Sequence, residues 1–133
     1  MWKFGQGSLD KLATVEPALQ KVAHKALEYS PYDFGILCGI RTPQEQKERL
    51  ASGASQTLKS RHLANSRGLS EALDFGVYIQ GKYINGDTAE EVGYYRIVNQ
   101  AFFRAAIELG IQIEAGALWR TFVDAGHIQL LDK

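Results

Sequence analysis

Ala72-Leu73-Asp74-Phe75-Gly76-Val77-Tyr78 alternates in side-chain character along its length. As a strand it sends Leu73, Phe75 and Val77 to one face and Ala72, Asp74 and Gly76 to the other, because successive side chains point to opposite sides. The first face belongs in a core. The second puts one carboxylate between two of the smallest residues. A charged group there needs a partner or bears a desolvation cost, and its small neighbours leave room for a metal or a substrate. A solvent-facing aspartate on an edge strand fits the same facts.

Upstream, residues 53–71 are rich in Ser, Gly, Asn and basic residues and read as one long loop. Such loops in small domains are functional or disordered. Before it, Thr42-Pro43-Gln44-Glu45 is a helix start, with Thr as N-cap, Pro at N1 and Glu at N3. That helix runs to about Ala51, and Gly53 stops it. Phe34–Ile40 is short, apolar and partly β-branched, a buried strand. Leu19, Val22, Ala23, Ala26 and Leu27 follow the amphipathic-helix template, and Ser30-Pro31 ends that helix.

Downstream, turns at Gln80-Gly81-Lys82 and Asn85-Gly86-Asp87 lead to a long helix. Thr88 and Glu91 form its capping box. Val92, Tyr95, Val98, Phe102, Ala105 and Leu109 line its buried stripe, and Gly110 ends it. Two short strands follow, near Ile111–Ala115 and His127–Leu130. Without regular βαβ alternation, the order predicts an α+β domain, helices against a mainly antiparallel sheet.

The 133 residues, 45% of them apolar, suit one small domain with a real core. No apolar run approaches the ~20 residues of a membrane span, so no membrane insertion is expected. The first residues lack the apolar stretch of a secretory signal. Cys38 is the only cysteine, which excludes an internal disulfide and points to synthesis in a reducing cytosol. Fifteen basic residues balance fifteen acidic ones, which argues against a nucleic-acid partner. Residues 1–67 carry 10 Lys/Arg against 6 Asp/Glu, and residues 68–133 carry 5 against 9. The basic half suits an anionic polymer or a solvated helix face equally.

Of three histidines, His24 sits in the first helix beside Val22 and Ala23. It has no partner at metal spacing and reads as a surface or boundary residue. His62 lies in the polar loop, where a lone histidine is ordinarily solvated. His127 opens the last strand and shares a face with Gln129. Asp124-Ala125-Gly126 precedes it, and that turn can swing Asp124 toward whatever His127 faces. Two imidazoles, one carboxylate and an open fourth position make a catalytic zinc arrangement, with a further carboxylate as proton acceptor. The spacing alone is not diagnostic. Cys38, in an apolar strand, reads as a core filler rather than a nucleophile. Paired carboxylates, Glu71 with Asp74 or Glu90 with Glu91, would suit a glycosidase; Glu90 and Glu91 open a helix, where acids complement the dipole.

The chain resembles the D-alanyl-D-alanine carboxypeptidase-like zinc peptidases. Within them it is most similar to the phage endolysins that act as L-alanyl-D-glutamate endopeptidases. The resemblance runs through Lys3-Phe4-Gly5, Leu12-Ala13-Thr14-Val15, Pro17–Ala23, Ser30–Phe34, Gly39-Ile40-Arg41-Thr42, Ser60-Arg61-His62, Ala72–Phe75 and Asp124–His127. It implies one zinc ion per chain, held by His62, Asp74 and His127, at one face of the sheet. It further implies Asp124 as catalytic base and Arg41 as the residue that stabilises substrate and transition-state charge. The expected reaction is hydrolysis of a stem-peptide bond in bacterial peptidoglycan, leading to host lysis. The whole of 1–133 is expected to be the catalytic domain of a monomer, without a separate wall-binding domain. It would be made in the host cytoplasm and need a holin-type pore to reach the wall. The rivals are a D-alanyl-D-alanine carboxypeptidase or dipeptidase, and a non-catalytic wall-binding zinc module.

Two departures stand out. The family pattern is H-x-x-G-x-A-x-D, but here Asp74 comes twelve residues after His62, five more than the pattern has. The extra residues fall within Leu63–Glu71 and are expected to bulge outward at the groove rim. Second, some relatives bind a regulatory calcium in an acidic segment before the last motif. Arg120-Thr121-Phe122-Val123 has no acid, so no calcium is expected.

Overall fold

Asp74 lies near the middle of a five-stranded sheet whose pairings are all antiparallel. The computed structural model describes residues 2–55, 60–119 and 123–131. Element order is α1 (Gln6–Leu12), α2 (Pro17–Tyr29), β1 (Asp33–Cys38), α3 (Pro43–Ala51), β2 (Ala72–Ile79), β3 (Lys82–Ile84), α4 (Ala89–Leu109), β4 (Ile113–Ala115), a 3-10 turn (Gly116–Leu118) and β5 (His127–Leu130). This is the α+β class predicted. Helix α1 and strand β3 were not predicted. The segment Arg120–Phe122, to which no calcium was assigned, lies outside the described residues.

Strand β2 is the axis of the sheet. Strand β1 pairs along one of its edges. The other edge is shared: β5 takes Ala72–Asp74 and β3 takes Val77–Ile79. Between them the Phe75 N–H donates to the Gly126 carbonyl at 2.9 Å. Leu73, Phe75 and Val77 are buried on the helix side, as the alternation requires. There Phe75 stacks on Phe102 and Tyr95, with ring centroids 5.0 and 5.6 Å apart. Helices α2 and α4 close this core, and burying each such ring contributes about 1.5–3 kcal/mol. The five predicted core positions of α2 are its five buried residues. Along α4, Tyr95, Val98, Phe102 and Ala105 are buried, but Val92 is only partly buried and Leu109 is 37% exposed, so the two ends of the predicted stripe lie outside the core.

Helix α3 has the full predicted capping box between Thr42 and Glu45. In α4 the box is half formed. Thr88 accepts from the Glu91 N–H, but Glu91 turns its carboxylate to the Gly86 N–H at 3.1 Å.

Strand β1 departs from prediction at its end. A register shift separates Ile36 from Cys38. Simple alternation would send Cys38 inward with Phe34 and Ile36. Leu37 is 40% exposed, and the bulge sets the half-buried Cys38 opposite Asp74 instead of in the core. Cys38 is therefore not a core filler.

The longer loop leaves Asp74 in register, paired with His127. Its tip, Ser66-Arg67-Gly68, is exposed. It does not rim the groove, because its ends are tied to the α1–α2 junction. Ser70 N–H donates to the Thr14 carbonyl at 2.9 Å, and Asn65 Nδ2 donates to Glu16 Oε1 at 2.7 Å.

Candidate metal centre

Three elements meet at Asp74. Strand β2 presents its carboxylate, β5 presents His127 directly across the ladder, and the loop after α3 delivers His62. The loop is fixed where it passes Arg41: the Arg41 N–H donates to the His62 carbonyl at 2.8 Å. His62 is 1% exposed, so this loop histidine is buried rather than solvated. His24, by contrast, is exposed and packs edge-on against Phe4, far from any such cluster.

The donor atoms converge. His62 Nε2 is 3.2 Å from Asp74 Oδ1 and 3.3 Å from His127 Nδ1. His127 Nδ1 is 3.1 Å from the same Asp74 oxygen. A tetrahedral ion with bonds of ~2.0–2.1 Å has ligand–ligand edges of about 3.3 Å, so the triangle has the right size.

The protons are directed away from this point. His62 Nδ1 donates to the Gly39 carbonyl at 2.8 Å, an atom that can only accept. His127 Nε2 donates to Gln129 Oε1 at 2.8 Å. That amide is oriented in turn, because Gln129 Nε2 donates to Glu114 Oε2 at 2.8 Å. Both neutral rings thus turn a lone pair toward Asp74 Oδ1. Three electron-rich atoms facing one point repel unless a cation or a proton stands among them. The donor set fits a divalent metal.

Cys38 sits near but on the other side. Its Sγ is 3.8 Å from His62 Nδ1, the nitrogen committed to Gly39. Cys38, His62 and Asp74 also bring one donor atom each within 4.8 Å of one another. The His62–Asp74–His127 triangle needs no rearrangement.

The profile of the family described as "Phage L-alanyl-D-glutamate peptidase" matches residues 1–131. The chain belongs to this family. It is 40% identical to the L-alanyl-D-glutamate peptidase of Escherichia phage T5, an alignment covering 98% of both chains. The crystal structure of the Serratia marcescens L-Ala D-Glu endopeptidase ChiX is similar with a TM-score of 0.83 at 35% identity, over 97% of this chain and 90% of that one.

In this member of the phage L-alanyl-D-glutamate peptidase family, Asp124 borders the triangle. A carboxylate oxygen of Asp124 lies within 4.8 Å of donor atoms on Asp74 and His127. Gly116 and Gly126 make that approach possible. A Cβ on Gly116 would stand 2.5 Å from the Asp124 carbonyl, and one on Gly126 would stand 2.4 Å from the Phe75 carbonyl. Burial, then the Asp74 charge, push the Asp124 carboxyl above the usual range, against the pull of both histidines. Burial also works against charge on His62, but hydrogen bonds with Asp74 and Cys38 outweigh it and raise its pKa to about 9. Asp74 is the mirror image. Burial disfavours its charge, yet the imidazoles of His127 and His62, which favour the carboxylate once either takes up a proton, hold it well below the ordinary carboxylate range.

Arg41 lies behind Asp74, 5% exposed. Its Nη2 is 3.4 Å from Asp74 Oδ2, while Nη1 donates to Gln46 Oε1 at 2.6 Å. Its Nε is buried without a hydrogen-bond partner among the described residues. Trp119 covers the other side, its ring centroid 5.0 Å from that of His127. Sequence reading did not find Gly39, Gln46, Glu114 or Trp119. Gln129 was legible in part, since strand alternation puts it on the face of His127.

Proposed function

We propose that the chain hydrolyses the L-alanyl–D-glutamyl bond of peptidoglycan stem peptides, using one zinc ion held by His62, Asp74 and His127. The observation that carries this reading is the triangle of lone pairs, 3.1–3.3 Å on each edge, with Asp124 beside it. When bound there, zinc polarises the scissile carbonyl and lowers the pKa of water toward ~7.

The chain's own residues supply the rest. Asp124 accepts the proton of the attacking water at a carboxylate oxygen and returns it to the leaving amine of D-glutamate. Its raised affinity for protons suits that exchange. Gly39 and Gln129 hold the two rings in the tautomers that keep His62 Nε2 and His127 Nδ1 free. Arg41 holds Asp74 Oδ2, so Oδ1 stays turned to the triangle. Its burial supports a positioning role in which its charge acts through Asp74.

The partner is the bacterial wall polymer. Among the described residues no helix is long and apolar enough to cross a membrane. Access from the host cytoplasm would use a holin-type pore. Lysis of the host follows from the cut. The test is digestion of purified peptidoglycan with mass spectrometry of the fragments, with and without a chelator. A new amino terminus on D-glutamate, absent with chelator, supports the reading. Release of terminal D-alanine would indicate a carboxypeptidase, and wall binding without new amines would indicate a non-catalytic module.

A further inference from the structure

Beside the metal centre lies a cleft of about 270 Å³, whose lining includes Asp74, Asp124, Tyr83, Asn85 and Arg49. Among the described residues that line it, Arg49 is the only basic one. With a divalent ion offsetting the Asp74 and Asp124 carboxylates, Arg49 is the basic side chain of this lining that can receive a further negative substituent of the substrate.

Arg49 is placed there by the helix that carries it. Gln46, three residues earlier, is 1% exposed and binds Arg41, which binds Asp74. Residues three apart share a helix face, so anchoring Gln46 turns Arg49 toward the cleft. The last turn is closed as well: the Arg49 carbonyl accepts from the Ser55 N–H at 3.1 Å and from Ser52 Oγ at 3.1 Å. The guanidinium makes no hydrogen bond or ion pair among the described residues. Glu45, one turn back, is committed to the helix cap through the Thr42 N–H at 2.9 Å. The cation is exposed and held by its backbone; Glu45 feels its charge across the helix turn without a close ion pair.

The substrate class proposed above supplies the matching charge. In a stem peptide the D-glutamyl residue continues the chain through its γ-carboxyl group. Its α-carboxyl group therefore stays free, on the carbon next to the scissile nitrogen. The alanyl side offers only a methyl group. We propose that Arg49 binds this α-carboxylate and so sets a preference for D-glutamate over its amidated form. An arginine fork suits a planar carboxylate. The inference rests on the L-alanyl–D-glutamyl reading.

The test compares two synthetic stem peptides that differ only at this group, carboxylate in one and carboxamide in the other, as substrates of the zinc-loaded enzyme. The wild-type protein should cut the acid more efficiently. Arg49→Ala should raise KM for the acid about fivefold, within the range of a charge-assisted contact at an exposed site. Its kcat should hold, and its KM for the amide should not move. Arg49→Lys should restore part of the preference. Equal effects of Arg49→Ala on both peptides, or a wild-type enzyme indifferent to the amide, would overturn the assignment. Failure of the wild-type enzyme to cut either peptide at this bond would remove the functional reading, and the inference with it.

Discussion

Asp74 and His127 face each other across the β2–β5 ladder, and Asp74 Oδ1 stands 3.1 Å from His127 Nδ1. Strand register alone sets this meeting. A slip of one residue would bring Leu73 or Phe75 to the site and turn Asp74 into the core. Removing an imidazole from the triangle should therefore act on the metal before anything else. His127→Ala and His62→Ala are expected to lose zinc and activity together, read by metal analysis and stem-peptide cleavage on the same samples. Retention of a full equivalent of zinc in either variant would contradict the ligand set.

Asp124→Asn should behave differently. The three donor atoms remain, so zinc content should stay near one per chain. The amide cannot take up the water proton, and hydrolysis should fall by about 10²–10⁴-fold. Loss of zinc in this variant would make Asp124 a ligand instead of a base.

Acidity of the metal-free site gives a third expectation. With no ion bound, a proton on His62 bridges to Asp74, and the folded-state pKa rises from 6.5 to about 9. A pKa raised on folding adds stability that is complete below the unfolded value and vanishes above the folded one. The chelated protein should therefore melt at progressively lower temperature as pH rises from about 6.5 to about 9. Zinc-loaded protein should not show this decline, because the ion has displaced the proton. Calorimetry across that range, with chelator and with zinc, decides between the two.

The Glu114–Gln129–His127 chain should control affinity for the ion. Gln129→Leu removes the acceptor of the His127 Nε2 proton and frees the ring to flip or change tautomer. Zinc affinity should fall by roughly 10–100-fold, while the fold survives because Gln129 is only partly buried. Competition with a metallochromic chelator measures it. Unchanged affinity would mean that Trp119 packing alone fixes the ring.

Gly126→Ala probes the docking of the base-bearing turn. Its Cβ would stand 2.4 Å from the Phe75 carbonyl, a backbone atom that cannot swing aside. The turn must lift away from β2, at about 1–3 kcal/mol of stability, and zinc affinity should weaken with it. An alanine variant as stable and as active as wild type would show that β2 can yield.

The elements legible in the sequence carry strong local signals. Helix α2 has an unbroken apolar stripe, α3 a complete capping box, and β2 a clean alternation about Asp74. Helix α1 was missed because it has seven residues and buries only Leu12. Strand β3 was missed because it has three, none of them fully buried. Cys38 was misplaced because a bulge has no signature in a short apolar run. The candidate ligands came from residue type, face and family resemblance. The burial of His62 depends on a backbone bond between Arg41 and its own loop, a tertiary contact that no local pattern announces. Arg49 was likewise invisible, since only the tie from Gln46 to Arg41 aims its helix face at the cleft.

The loop that separates His62 from Asp74 offers a practical handle. Its exposed tip is bracketed by fixed points: Gly68 N–H donates to the Asn65 carbonyl at 3.0 Å, and the Ser70 N–H is bonded to Thr14. Arg67 pairs with Glu16 at 3.3 Å but is 64% exposed, a contact that can be given up cheaply. Chain length here is thus uncoupled from the catalytic strand. Loop-closure entropy grows only slowly with added residues, so a short targeting peptide grafted at Arg67-Gly68 should be carried without disturbing the cut. The enzyme has a built-in splice point for chimeric lysins, located away from both its termini.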